Sequence, residues 1–113
     1  MSVIPEVVYF KKGEREPVAD YIELLDDDAA AKVRAHIRAL AAEGPLSPSL
    51  DARHLGEGLW ELKVRSKMGH HRLFYCVHNG VLWLLHAITK KSGKTPRNVL
   101  ALARRRKKEA EEE

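Results

Sequence analysis

The chain has 113 residues, 44% hydrophobic and 32% charged, which suits one globular domain over 1–113 and excludes a disordered chain. The apolar run Val81–Leu85 is broken at once by His86, so no membrane span is expected. No basic-then-apolar stretch opens the chain either, so the expectation is a cytoplasmic protein without a secretory signal. Cys76 is the only cysteine, which excludes an internal disulfide or a thiolate-rich zinc site.

The net charge of +4 hides an asymmetry: residues 1–50 carry −3, residues 51–108 carry +11, and residues 109–113 carry −4. So basic a second half suits a polyanion, most often nucleic acid, because each cation that meets a phosphate can release a counterion. The bland alternatives are a solvated basic face or a dock for an acidic protein.

Taken in chain order, Val3 to Lys11 is rich in β-formers, and Pro5 suits an edge strand. Gly13 to Glu16 is a turn. Pro17 opens a helix in which Val18, Tyr21, Ile22 and Leu25 share a stripe. Asp26-Asp27-Asp28 ends that helix and offers a carboxylate cap to the next. Ala29 to Glu43 is the most helical stretch, with Val33, Ile37, Leu40 and Ala41 on one side, and Gly44-Pro45 stops it. So short a link predicts a helical hairpin. Leu46 to Gly58 reads as loop with a short extended piece at Ala52 to Leu55. The period then changes to two: Trp60, Leu62 and Val64 alternate with Glu61, Lys63 and Arg65. A turn at Ser66 to Gly69 leads to a strand from His71 to Val77. His78-Asn79-Gly80 carries a hairpin signal, and Val81 to Lys90 returns as the next strand. Ser92-Gly93-Lys94 is a loop, and Thr95 is expected to cap a last helix with Pro96 at its first position. The order predicts an α+β domain: an N-terminal strand and helical hairpin on a small, mostly antiparallel sheet, with a C-terminal helix.

The strongest chemical feature is the polar face of the paired strands. Lys63 and Arg65 lie two apart and share a face. Arg72 follows across a short turn, and Lys90 and Lys91 close the next strand. Cations converging on one sheet surface can bind a phosphate and stabilise charge building on its oxygens. An ordinary solvated sheet face is the plain alternative. His70 and His71 sit beside Arg72 and are candidates for proton transfer to and from an RNA 2′-hydroxyl. His86 falls among Leu84 and Ile88 and reads as a hydrogen-bonded core histidine. Cys76 and His78 have no further ligand nearby, so no metal is expected. Ser92-Gly93-Lys94-Thr95 imitates the end of a phosphate-binding loop, but the glycine required five positions before Gly93 is Ile88. The run Arg104–Lys108 leads into Glu109 and Glu111–Glu113. Pairs four apart (Arg105 with Glu109, Lys107 with Glu111, Lys108 with Glu112) are the simpler account, and a basic handle for RNA or an acidic partner is the other.

Together, Leu59–Arg65 (LWELKVR), Gly69–Tyr75 (GHHRLFY), Leu85–Lys91 (LHAITKK) and Lys94–Pro96 (KTP) resemble the RelE/HigB toxins of type II toxin–antitoxin modules, particularly the phage-derived HigB-like branch. The resemblance covers nearly the whole chain and implies a RelE-like fold. It also implies a small basic endoribonuclease that enters the ribosomal A site and cuts mRNA there, without metal or cofactor. The implied partners are the ribosome and its mRNA and a cognate helix-turn-helix antitoxin, with operator DNA contacted only as the toxin–antitoxin complex. By position, Lys63 and Arg65 match the basic residues of the central strand. Arg72 matches an arginine that contacts the scissile phosphate, and Lys90 and Lys91 match a basic pair closing the next strand. Lys67, Lys94 and Arg97 are further candidates for the RNA-binding surface. The base-stacking tyrosine of many RelE proteins is missing, since no tyrosine follows Tyr75. Lys63, His71 and Glu61 all stand as candidates for the base. On this reading Arg72→Ala should abolish growth arrest and leave the fold intact. Two rivals remain: a ParE-like toxin acting on DNA gyrase, whose sheet face lacks such cations, and an inactive module that keeps only antitoxin or DNA contacts.

Overall fold

A computed structural model describes residues 6–91 and 93–113. In order these form β1 (Glu6–Tyr9), α1 (Pro17–Glu23), α2 (Asp27–Glu43), β2 (Asp51–Gly56), β3 (Leu59–Ser66), β4 (Gly69–His78), β5 (Val81–Lys90) and α3 (Arg97–Glu111). One five-stranded sheet runs in the order β1-β5-β4-β3-β2. Strands β2 to β5 form an antiparallel meander, and β1 joins β5 in parallel. This is the α+β, mostly antiparallel architecture that the periodicities predict. Of the expected first strand, Val3 to Pro5 lie outside the described residues, as does Ser92 of the later loop.

Local chemistry explains the main breaks. Asp26 Oδ1 accepts the Ala29 N–H at 2.8 Å, and Asp27 and Asp28 place negative charge in the first turn of α2, where the helix dipole favours it. Asn79 and Gly80, with φ of 52° and 74°, make the tight β4–β5 hairpin. Two elements differ from expectation. β2 is a full strand, paired with β3 from Asp51 opposite Lys63 to Gly56 opposite Leu59. Its polar residues Asp51, Arg53 and His54 suit a sheet edge and disguise it as loop. Gly56, Glu57 and Gly58, with φ of 103°, 52° and 80°, are the turn that returns it. Thr95 does not cap α3, which starts from Pro96 without a side-chain cap; its hydroxyl is engaged elsewhere.

The sheet is covered on both faces. Val18 and Ile22 of α1 and Val33, Ile37 and Leu40 of α2 pack on Leu62, Val64, Leu73, Tyr75, Leu82 and Leu84. Ala103 and Ala110 of α3 pack with Phe10 over Leu59, Phe74, Cys76 and Leu85 on the opposite face. Each fully buried leucine contributes roughly 1.5–3 kcal/mol. Small residues let α3 lie close, but they cover only the Leu59–Phe74–Leu85 end of that face. Toward the β3–β4 turn, Lys63, His70 and Lys90 stay half-buried and Arg65 exposed. No helix among the described residues is long and apolar enough to cross a membrane.

Candidate functional site

Strand register decides which side chains meet, because residues directly opposite on neighbouring strands project from the same side of a sheet. Arg65 pairs with His70, and His70 with Lys90, so one row across β3, β4 and β5 reads Arg65–His70–Lys90. The next row reads Asp51–Lys63–Arg72–Ile88, and the third Arg53–Glu61–Phe74–His86. All three lie on the α3 face. Lys63, Arg65, Arg72 and Lys90 are thereby brought together on one surface. Exposed Lys91 follows Lys90, whose Nζ donates to the Lys94 carbonyl at 2.6 Å. Lys67 is exposed in the β3–β4 turn, and Lys94 and Arg97 are exposed at the start of α3. That helix has no acidic residue in its first turn, so Arg97 adds positive charge where the dipole is already positive.

Arg72 differs from the other cations. It is 6% exposed, and one Nη donates to Thr95 Oγ1 at 2.9 Å while the other donates to the Gly93 carbonyl at 2.6 Å. Thr95 in turn donates to Glu61 Oε2 at 2.9 Å, and that carboxylate, 3% exposed, lies 3.7 Å from Arg72 Nη1. Glu61 also faces Arg53 Nη2 at 3.6 Å. Arg72 is therefore the hub of a buried clasp that folds the segment before α3 onto the sheet. Its Nε has no hydrogen-bond partner among the described residues.

The two neighbouring histidines part company. His71 was expected within reach of the cationic surface, but strand alternation turns it to the other face, where it is 0% exposed. There Nε2 meets Ser66 Oγ at 2.6 Å, and Nδ1 meets Tyr21 Oη at 2.7 Å and Thr89 Oγ1 at 3.2 Å. Burial lowers its pKa, partly opposed by Asp26 and reinforced by His70. His71 ties α1, the end of β3 and β5 together beneath the sheet. His70 is the histidine in the cationic row, and its Nδ1 has no partner among the described residues. Counting in twos from Arg72 would have found it from sequence.

Much of the C-terminal basic run holds α3 down. Arg104 donates to the Leu55 and Gly56 carbonyls, and Arg106 donates to the Leu85 carbonyl and to His86 Nδ1 while lying 5.5 Å from the Phe10 ring centre. His86 is thus hydrogen-bonded, and its pKa is lowered by burial and then by Arg106. Lys107 pairs with Glu111 at 2.7 Å, whereas Glu109 takes Lys12 instead of Arg105. Burial pushes the Cys76 thiol up to about 11, which keeps it protonated and unreactive at neutral pH. No cluster of three or more metal-ligating side chains occurs among the described residues.

The model of one protein family, described as phage-derived protein Gp49-like (DUF891), matches residues 20–108, from within α1 into α3 and across all three rows. No curated protein and no solved structure matches the chain. With β2 to β5 and the α3 face inside that match, the protein belongs to the phage-derived Gp49-like family, a family of the RelE-like toxin type.

Proposed function

We propose that the protein is the toxin of a type II toxin–antitoxin module and acts as a ribosome-dependent mRNA endoribonuclease. The observation that carries this reading is the Arg65–His70–Lys90 row, with Lys63 behind it and Lys91 beyond it, at the open end of the α3 face. Membership of a RelE-like toxin family supports it. In the proposed reaction the 2′-oxygen attacks the adjacent phosphorus and gives its proton to the His70 imidazole. The bond from phosphorus to the 5′-oxygen breaks, that oxygen takes up a proton from water, and the His70 imidazolium returns its proton to the solvent. The products are a 2′,3′-cyclic phosphate and a 5′-hydroxyl. Arg65, Lys90 and Lys91 neutralise the phosphate oxygens, and Lys63 raises the local positive potential. Lys67, Lys94 and Arg97 guide the flanking strand. A side chain as buried as Arg72 acts here as a positioning residue, holding Gly93 and Thr95 so that Lys94 stays at the rim. Orientation within the ribosomal A site supplies much of the rate. A helix-turn-helix antitoxin is the expected partner, with operator DNA reached only through that complex.

The test is 5′-end mapping of a defined mRNA in a purified translation reaction, comparing wild type with Arg65→Ala and His70→Ala. Cuts inside codons that need loaded ribosomes, and that fall roughly 10²–10⁴-fold in His70→Ala, are expected. Full cleavage by both variants would sink the site. Cuts on naked RNA would keep the nuclease and remove the ribosome. Absence of wild-type cleavage would favour a second reading, to which the burial of Arg72 also points: a module that binds its antitoxin without cutting RNA.

A further inference from the structure

Beside the Arg72 clasp lies a cleft of about 220 Å³, lined by Arg53, Leu55, Glu61, Lys94, Thr95 and Leu100. We propose that it is a nucleobase pocket, selective for a base that carries an exocyclic amino group. The inference rests on the RNA reading above and names the specificity site beside that surface. Its shape and chemistry match a base better than a phosphate. Leu55 and Leu100, both half-buried, supply apolar walls for a flat ring, and the volume admits one heterocycle but not a large ligand. Inside, the Glu61 carboxylate is an acceptor without a donor of its own, so it repels phosphate and takes an N–H. Its Oε2 is already held by Thr95 at 2.9 Å, with Arg72 at 3.7 Å. Its Oε1 has Arg53 at 3.6 Å, beyond hydrogen-bond length, with the Arg53 side chain 68% exposed. An ion pair with Arg72 accounts for a buried carboxylate; it does not account for an open apolar-walled cleft over that carboxylate.

The site is also placed for a strand lying on the cationic row. Glu61 shares a face with Lys63 and Arg65, two and four residues along β3, or roughly 7 and 14 Å. A nucleotide next to the one held at Arg65–His70–Lys90 reaches the cleft with its phosphate at exposed Arg53 and Lys94. Cytosine, adenine and guanine each carry an amino group that can donate to Glu61. Uracil presents a carbonyl where cytosine has its amino group, and a carbonyl facing a carboxylate is unfavourable.

Methyl-resolved NMR of the full chain titrated with CMP and with UMP tests this directly. CMP is expected to shift the Leu55 and Leu100 methyls and to bind on the order of tenfold more tightly than UMP. Glu61→Gln, whose amide also donates, should erase the preference, and Leu100→Phe should fill the cleft and abolish the shifts. Should Glu61→Gln fail to fold, Leu100→Phe together with Arg53→Ala decides the matter from the rim. Equal binding of CMP and UMP, or shifts confined to residues around His70, would overturn the pocket. The titration involves neither ribosome nor cleavage. Selective CMP binding by a chain that cuts nothing in the translation reaction therefore leaves the pocket and removes the nuclease, and base-indifferent titration of a cutting chain does the reverse.

Discussion

Arg72 and Lys63 stand directly opposite each other on one face, yet burial gives them different energetic roles. Removing the Arg72 side chain frees Gly93 and Thr95 and leaves the Glu61 carboxylate buried with a poorer set of partners. Breaking a buried charge pair from one side costs about 3–5 kcal/mol. Arg72→Ala should therefore lower the urea midpoint by a large margin, so its loss of activity reports folding as well as chemistry, contrary to the expectation of an intact fold. Arg65→Ala, at an exposed position, should stay within about 0.5 kcal/mol of wild type. The histidines set a pH dependence. The pKa values of His71 and His86 are lowered, in both cases chiefly by burial, so the unfolded chain binds protons that the folded chain refuses. Their contribution to stability is complete above the ordinary imidazole pKa of about 6.5 and is lost as pH falls from there toward the lowered folded values. Urea unfolding at about pH 7.5 and about pH 5.5 should show the midpoint dropping in acid, and His71→Gln should flatten the drop.

At the scale of elements, turns set the register and the register builds the site. Gly69 opens β4 at φ 129°, and a Cβ there would sit 2.9 Å from the Lys90 carbonyl. That backbone cannot move without shifting the His70–Lys90 pairing. Gly69→Ala should cost roughly 1–3 kcal/mol and lower activity with it, read by thermal unfolding alongside the cleavage reaction. The Asn-Gly hairpin and the Asp26 cap were legible because turn and cap chemistry is local. β2 was legible only as the short extended piece at Ala52 to Leu55 and not as the full strand Asp51–Gly56, because an edge strand needs no apolar alternation when one of its sides meets solvent. Thr95 departs from its local pattern for a related reason. A threonine before a proline and a helix looks like a cap, and only the buried Arg72 and Glu61 beneath it show a stronger claim on its hydroxyl.

For the whole molecule, the uneven charge makes a measurable prediction. Binding to single-stranded RNA should weaken with salt, log K falling by about 0.7 per phosphate contact for each unit of log salt. Arg65→Ala and Lys90→Ala should each reduce that slope by about 0.7, measured as fluorescence anisotropy of a labelled oligoribonucleotide over a salt series. Arg104→Ala and Arg106→Ala should leave the slope nearly unchanged and lower stability instead, because these guanidinium groups donate to sheet carbonyls. A basic run read from sequence is thus two populations, one turned outward and one folded in.

The sequence by itself determined the α+β order of elements, the shared face of Lys63 and Arg65 and the basic second half, since these follow from periodicity, turn residues and charge within short stretches. Strand parity in the sequence also separates His70 from His71, although it was the paired register that placed Arg65, His70 and Lys90 in one row. Tertiary structure alone decided which cations are free. Arg72 meets Thr95 across 23 residues and Glu61 meets Thr95 across 34, so no local pattern encodes the clasp. The physical reason is that burial and hydrogen-bond partners are properties of the packed chain: an arginine is a ligand for phosphate only where the fold leaves its guanidinium uncovered.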